Sequence, residues 1–151
     1  MAAGGNGQWA DPDGDVNVLG RLGMYDIETP EGAQLAMALP LDPRITNNRG
    51  GIQGGLLATL VDVVAGRAVT RGLGERQSAA TADLNIHFLN AVTVGPAHAV
   101  ARVVRWGKSL VVAQVEVRDE GRDVLAAIAT LTFVVVALRP DQLSARDLGA
   151  G

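Results

Sequence analysis

The residues best able to do chemistry lie within one short segment, "NNRGGIQGGLLATLVDVVAG", from Asn47 to Gly66. Gly50, Gly51, Gly54 and Gly55 precede an apolar stretch with a single acid, Asp62. Glycine lets a backbone approach a ligand closely. A glycine-rich loop leading into a helix exposes the helix's unpaired first N–H groups, and these donors together with the helix dipole favour negative charge. Two chemistries use such a loop: phosphate binding and stabilisation of an oxyanion. A phosphate loop needs Lys and then Ser or Thr after its second glycine. Here Leu56 and Leu57 follow Gly55, and the G-x-G-x-x-G spacing of dinucleotide sites is absent. An oxyanion hole remains, with the Gly54 N–H as its donor. A structural alternative also stays open, in which the glycines only let the chain turn tightly into the helix.

On a helix turning about 100° per residue, Ala58, Asp62, Ala65, Gly66 and Val69 fall near one face. Small residues admit the close approach of another helix, and an isolated Asp in such a seam is costly unless paired or used. Asp62 is therefore either a hydrogen-bonding residue at a subunit contact or a general base. Gly54 and Asp62 are eight residues apart, roughly 12 Å along the axis at about 1.5 Å per residue. One helix cannot bring both groups to one reacting carbon. Two antiparallel copies related by a two-fold axis can, so a catalytic site built from these groups is expected to be shared between subunits.

The elements that must position these residues are legible around them. "GGLLATLVDVVAGRAVTRGLG" places Leu57, Leu60, Val61, Val64, Ala65 and Ala68 at helical steps, with Gly72 or Gly74 ending the helix. Before it, "LGMYDIETPEGAQLAMALP" reads as a β-hairpin about the turn "TPEG". After it come strands only. "TADLNIHFL" alternates apolar Ala82, Leu84, Ile86 and Phe88 with polar Thr81, Asp83, Asn85 and His87. "SLVVAQVEV" sets Val111, Ala113, Val115 and Val117 on one face, and "VLAAIATLTFVVVAL" is a long apolar last strand. "WGKS" and "DEGRD" mark hairpin turns. The order predicts an α+β domain over residues 17–138: a hairpin, one long helix and a meander of about four strands, the antiparallel sheet curling around the helix. Residues 1–16 and 139–151 read as tails. A partner subunit is expected to cover the sheet's other face or an edge.

Composition bounds the function. At 48% hydrophobic and 19% charged residues, the 151-residue chain is globular and fits one domain. A formal net charge of −3 argues against a nucleic-acid partner, which would need a basic stripe. There is no cysteine, so disulfides, thiolate metal sites and cysteine nucleophiles are excluded. Two histidines, His87 and His98, make a histidine-rich metal centre an unattractive reading. The first residues lack the features of a secretory signal and no run of 18 apolar residues occurs, so no membrane association and a cytoplasmic location are expected.

Taken together, Asn47, Gln53, Gly54, Gly55, Asp62, Thr81, Asp83 and Asn85 resemble, in type and spacing, the PaaI-like hotdog-fold acyl-CoA thioesterases. The likeness covers about residues 20 to 137, and "GKS" at 107–109 sits where that family has a Gly-Arg/Lys turn. It implies a hotdog fold, a curved antiparallel sheet wrapped around one long helix, working as a homodimer that often pairs again into a homotetramer. The implied reaction is hydrolysis of an acyl-CoA without metal or organic cofactor. The Gly54 N–H would polarise the thioester carbonyl, Gly55 beside it would border the substrate, and Asn47 would position the thioester or the water. Asp62 of the other subunit would be general base or nucleophile, with Thr81 holding the water. Arg105 and Lys108 would meet the nucleotide phosphates of coenzyme A. The chain departs from the family at Gln53, where His is usual: Gln orients a carbonyl but moves no proton near neutral pH.

Two rivals use the same fold. A dehydratase or hydratase would want a His paired with an acid, and neither histidine sits at a helix-proximal motif position. A non-catalytic acyl-CoA binder is favoured by Gln53 in place of His.

Overall fold

The computed structural model describes residues 17–142. The expected tail 1–16 lies outside them, as does all of the expected tail 139–151 beyond residue 142. A single turn of helix, α1 (Val18–Arg21), is capped by Asn17, whose side chain accepts from the N–H groups of Leu19 and Gly20. The expected hairpin follows as β1 (Tyr25–Asp26) and β2 (Leu35–Leu39), paired antiparallel across a turn containing Gly32, whose φ of +77° suits glycine.

The long helix α2 (Gly54–Arg71) buries Leu57, Leu60, Val61, Val64, Ala65 and Ala68, the stripe read from the sequence, together with Val69. It stops at Gly72. A side chain there would drive its Cβ to 2.2 Å from the ring of Trp106, so strand-end packing against the helix terminus accounts for this tryptophan.

Four strands follow: β3 (Gln77–Phe88), β4 (Ala97–Trp106), β5 (Leu110–Asp119) and β6 (Val124–Ala137). All six strands form one antiparallel sheet in the order β1-β2-β4-β5-β6-β3. Only β4, β5 and β6 form the expected meander. β3 instead lies at the far edge against β6, because the chain crosses the sheet between β3 and β4. On β4 and β5, Ala97, Ala99, Ala101, Val111, Ala113, Val115 and Val117 turn inward and are buried. Phe133 is the one aromatic in the buried core of the described residues, with its ring beneath Gly66 of the helix. These small side chains let the sheet wrap closely around α2. This is the hotdog arrangement.

Strict alternation along β3 assigned Thr81 to the side facing away from the helix. The structure corrects this. Thr81 pairs with Phe133 and Asp83 with Thr132, so Ala82 is an extra residue in a β-bulge. Before the bulge Ala79 packs on the core, and after it Leu84 and Ile86 do. The count of two slips by one at Ala82, and Thr81 joins the helix-facing set.

Candidate active site

The approach to α2 is tied down at several points. Asn47 N–H donates to the Gly51 carbonyl at 2.8 Å, and its Oδ1 accepts from the N–H groups of Arg49 at 2.9 Å and Gly51 at 3.3 Å. Gly50, at φ +77°, closes that turn. Ile52 N–H donates to the Val92 carbonyl at 2.9 Å and Gln53 N–H to the Ile45 carbonyl at 3.0 Å. The Gln53 carbonyl then accepts from Leu56 and Leu57, starting the helix. Its side chain is exposed and makes no capping bond.

Among the described residues the N–H groups of Gly54 and Gly55 have no hydrogen-bond partner, as expected of a helix's first donors. The two glycines differ in their surroundings. A Cβ on Gly54 would meet the Phe88 ring at 3.3 Å, whereas one on Gly55 would meet nothing within 4 Å. Of the two, only Gly54 has a side chain of its own chain close enough for an added methyl to press on.

Two turns along the helix, the half-buried Asp62 accepts from the Thr81 hydroxyl, Oγ1 to Oδ1, at 2.7 Å. The bond occupies one oxygen of the carboxylate and leaves Oδ2 with no partner among the described residues.

A groove of about 290 Å³ opens beside the helix start. Ile52, Leu57, Phe88 and Leu89 form its apolar lining, and Asn47, Arg49 and Asn90 its polar part, with Gly54 between. Phe88 is 52% and Leu89 49% exposed, which leaves apolar surface uncovered in a single chain. Asp62 does not line this groove.

The residues singled out in the sequence thus fall into three places. Asn47, Gln53, Gly54 and Gly55 gather at the helix start, and Asp62 and Thr81 meet at its middle. Arg105 and Lys108 lie exposed at the β4–β5 turn beside the helix's C-terminal end. Within one chain the cations are therefore remote from Gly54. Asn47 spends its carbonyl oxygen on the loop, so its Nδ2 is what it can offer a ligand.

Sequence reasoning missed Arg49, Phe88, Leu89 and Asn90, which the fold brings to the groove. It also missed Asp119, fully buried at the end of β5. Its carboxylate accepts from Thr93 N–H at 2.9 Å, Val94 N–H at 3.2 Å and Gly95 N–H at 2.7 Å. Burial pushes this carboxyl upward, but the three N–H donors and the nearby Arg122 outweigh it and hold the group below the usual carboxylate value. Asp119 thereby fixes the turn whose preceding residue, Val92, holds Ile52. Its one sequence signal was an acid closing an apolar alternation, which also fits an ordinary turn.

Among the described residues no three His, Asp or Glu side chains are grouped to hold a metal ion, and no helix is long and apolar enough to cross a membrane.

Residues 50–126 match the family model of the thioesterase superfamily. A provisionally named esterase of Halobacterium salinarum is 33% identical over 108 residues, covering 68% of this chain and 70% of its own. A crystal structure of a Haemophilus influenzae thioesterase shares the fold at a TM-score of 0.75, with 24% identity over 81% of this chain and 84% of that one. A Bacillus halodurans protein solved with coenzyme A is 34% identical, with a TM-score of 0.63 over 67% of this chain and 66% of its own.

Proposed function

The chain belongs to the thioesterase superfamily, and on that premise we propose that it hydrolyses an acyl-CoA at sites shared between two copies of itself. The observation that carries this reading is the placement of two complementary groups on one rigid helix. Unpartnered N–H donors sit at Gly54, and a carboxylate with one free oxygen sits at Asp62, roughly 12 Å apart at about 1.5 Å per residue. Neither end suffices alone, and an antiparallel second copy supplies what each lacks. The coenzyme A bound to the Bacillus halodurans relative supports coenzyme A as the thiol carrier.

β3 is the edge on which such a copy would pair. It is twelve residues long and bonds only to β6, so its outer row of N–H and C=O groups has no strand beside it among the described residues. The exposed apolar residues Val104, Leu110, Ile128, Val134 and Val136 give the sheet surface that a further pairing into a tetramer would cover.

In the proposed reaction the thioester carbonyl oxygen accepts from the Gly54 N–H, with Gln53 and the Asn47 amide orienting the substrate. The partner subunit's Asp62, steadied by the Thr81 hydroxyl, uses Oδ2 to take a proton from water. The water oxygen bonds to the carbonyl carbon, and negative charge collects on the oxygen facing the helix start. The carbon–sulfur bond then breaks. The sulfur leaves with the electron pair and receives the proton that Asp62 took, giving thiol and carboxylic acid, which ionises in water. A direct attack by Asp62 on the carbonyl would use the same placement.

Complementation tests the shared site. Gly54→Pro removes the donor at a first helical position, where the backbone admits proline, and Gln53 at ψ 135° already has the extended backbone proline requires before it. The added Cβ must push the half-exposed Phe88 ring aside by a few tenths of an ångström, so an unchanged melting temperature is checked first. Gly54→Pro and Asp62→Asn are each expected to lose about 10²–10³ in kcat. Unfolding the two together and refolding them as mixed dimers restores one intact site in each heterodimer, roughly a quarter of the wild-type rate. A mixture no more active than its components rejects the shared site.

A further inference from the structure

Arg49 shares the groove with Gly54, and its guanidinium has no acceptor among the described residues. We infer that it is a binding residue for an anionic oxygen group on the substrate, a phosphate of the thiol carrier or a carboxylate on the acyl chain. This rests on the thioesterase reading and names a substrate contact within it.

Three observations support the assignment. First, the position is built: Arg49 N–H donates to Asn47 Oδ1 at 2.9 Å, in the same turn that Gly50 closes at φ +77° and that leads into α2. Second, the other polar side chains of the groove are uncharged amides, each with one of its two polar atoms already given to the chain. Asn47 Oδ1 holds the loop, and Asn90 Nδ2 donates to the Leu125 carbonyl at 2.8 Å. Third, the groove contains no acid, and its remaining lining is mostly apolar. A single uncommitted guanidinium beside Ile52, Leu57, Phe88 and Leu89 suits an amphiphile that carries an anion. Arg105 and Lys108, by contrast, lie at the opposite end of the helix from this groove.

The test compares wild type with Arg49→Ala and Arg49→Lys on four substrates. These are a neutral acyl-CoA, the same acyl group on pantetheine, and the ω-carboxylated acyl group on each carrier. The expected result is a rise of about ten- to a hundredfold in KM for Arg49→Ala, the scale of a hydrogen bond to a charged group. Little change is expected in kcat, with partial recovery in Arg49→Lys. If the anion is a carrier phosphate, the rise occurs with both coenzyme A thioesters and vanishes with both pantetheine thioesters. If it is the acyl carboxylate, the rise follows the ω-carboxyl group on either carrier. An unchanged KM for all four, or an equal rise that includes the neutral acyl-pantetheine, overturns the inference. Calorimetric titration of coenzyme A and of ω-carboxyacyl-CoA separates it from the thioesterase reading. If no thiol is released, weaker binding by Arg49→Ala still supports the contact, and equal binding to both proteins, or none to wild type, rejects it.

Discussion

The Thr81 hydroxyl donates to the Asp62 carboxylate at 2.7 Å, joining the sheet's edge strand to the middle of the long helix. It leaves the second carboxylate oxygen of Asp62 with no partner among the described residues.

Asp62→Asn removes the base while keeping its shape. Turnover is expected to fall by at least about 10², the scale of general-base catalysis, with the melting temperature and the assembly state unchanged. Thiol-release kinetics beside size-exclusion chromatography check this, and near-normal turnover would remove Asp62 from the mechanism.

Thr81→Val deletes the hydroxyl at nearly constant volume. A lost hydrogen bond to a charged group is worth about 1.5 kcal/mol or more, so kcat should fall about tenfold if the bond aims the carboxylate in the transition state. The residue is exposed in the single chain, so thermal stability should move little. Equal loss of stability and activity would mark the bond as structural only.

Gly55→Ala separates the chain's own packing from that of its ligand. The added methyl meets no atom of its own chain within 4 Å, so the fold should be unaffected or slightly firmer. Loss of kcat/KM in a stable protein would place substrate or partner against that position, whereas full activity would leave Gly55 outside the site. Gly54→Ala differs because its methyl presses on Phe88 at 3.3 Å. Pairing it with Phe88→Leu should recover part of any loss.

Asp119 predicts an acid limit to stability. Its carboxyl is held below the ordinary 3.8 in the folded chain, so the unfolded chain binds the proton more readily. The contribution is present in full above about pH 5, starts to fall as the unfolded carboxyl takes its proton, and is lost as pH falls through the lower folded value. Asp26 adds in the same direction, held down chiefly by the hydrogen bond from Arg67. Asp119→Asn should cost about 1–3 kcal/mol at neutral pH, because it sets an amide against three N–H donors. It should also flatten the decline in melting temperature between pH 5 and pH 3, roughly the range in which a carboxylate titrates. A variant that tracks wild type across that range would exclude Asp119 from the acid response.

The helix was legible because its apolar stripe repeats through eighteen residues and ends in a glycine. The strands were legible wherever one face is buried, as along β5. What stayed hidden depends on long-range pairing. Nothing local in β3 shows that its neighbour is β6 rather than β4. Nothing local shows a bulge at Ala82 either, so counting by twos turned Thr81 the wrong way. The glycine loop and Asp62 stood out by residue type. Arg49, Phe88 and Asn90 did not, because they matter only once two separate loops meet beside the helix. Asp119 escaped for a related reason: its three donors are backbone N–H groups of another turn, which no side-chain pattern records.

The insertion at Ala82 has a use that interior packing does not explain. Deleting it would give an uninterrupted strand with Thr81 and Leu84 still turned toward the helix, since Phe133 and Thr132 opposite are consecutive. The interior could do without the extra residue. What it shapes is the open rim, where it bends an otherwise straight border that would invite any passing strand, and so narrows the company that border can keep.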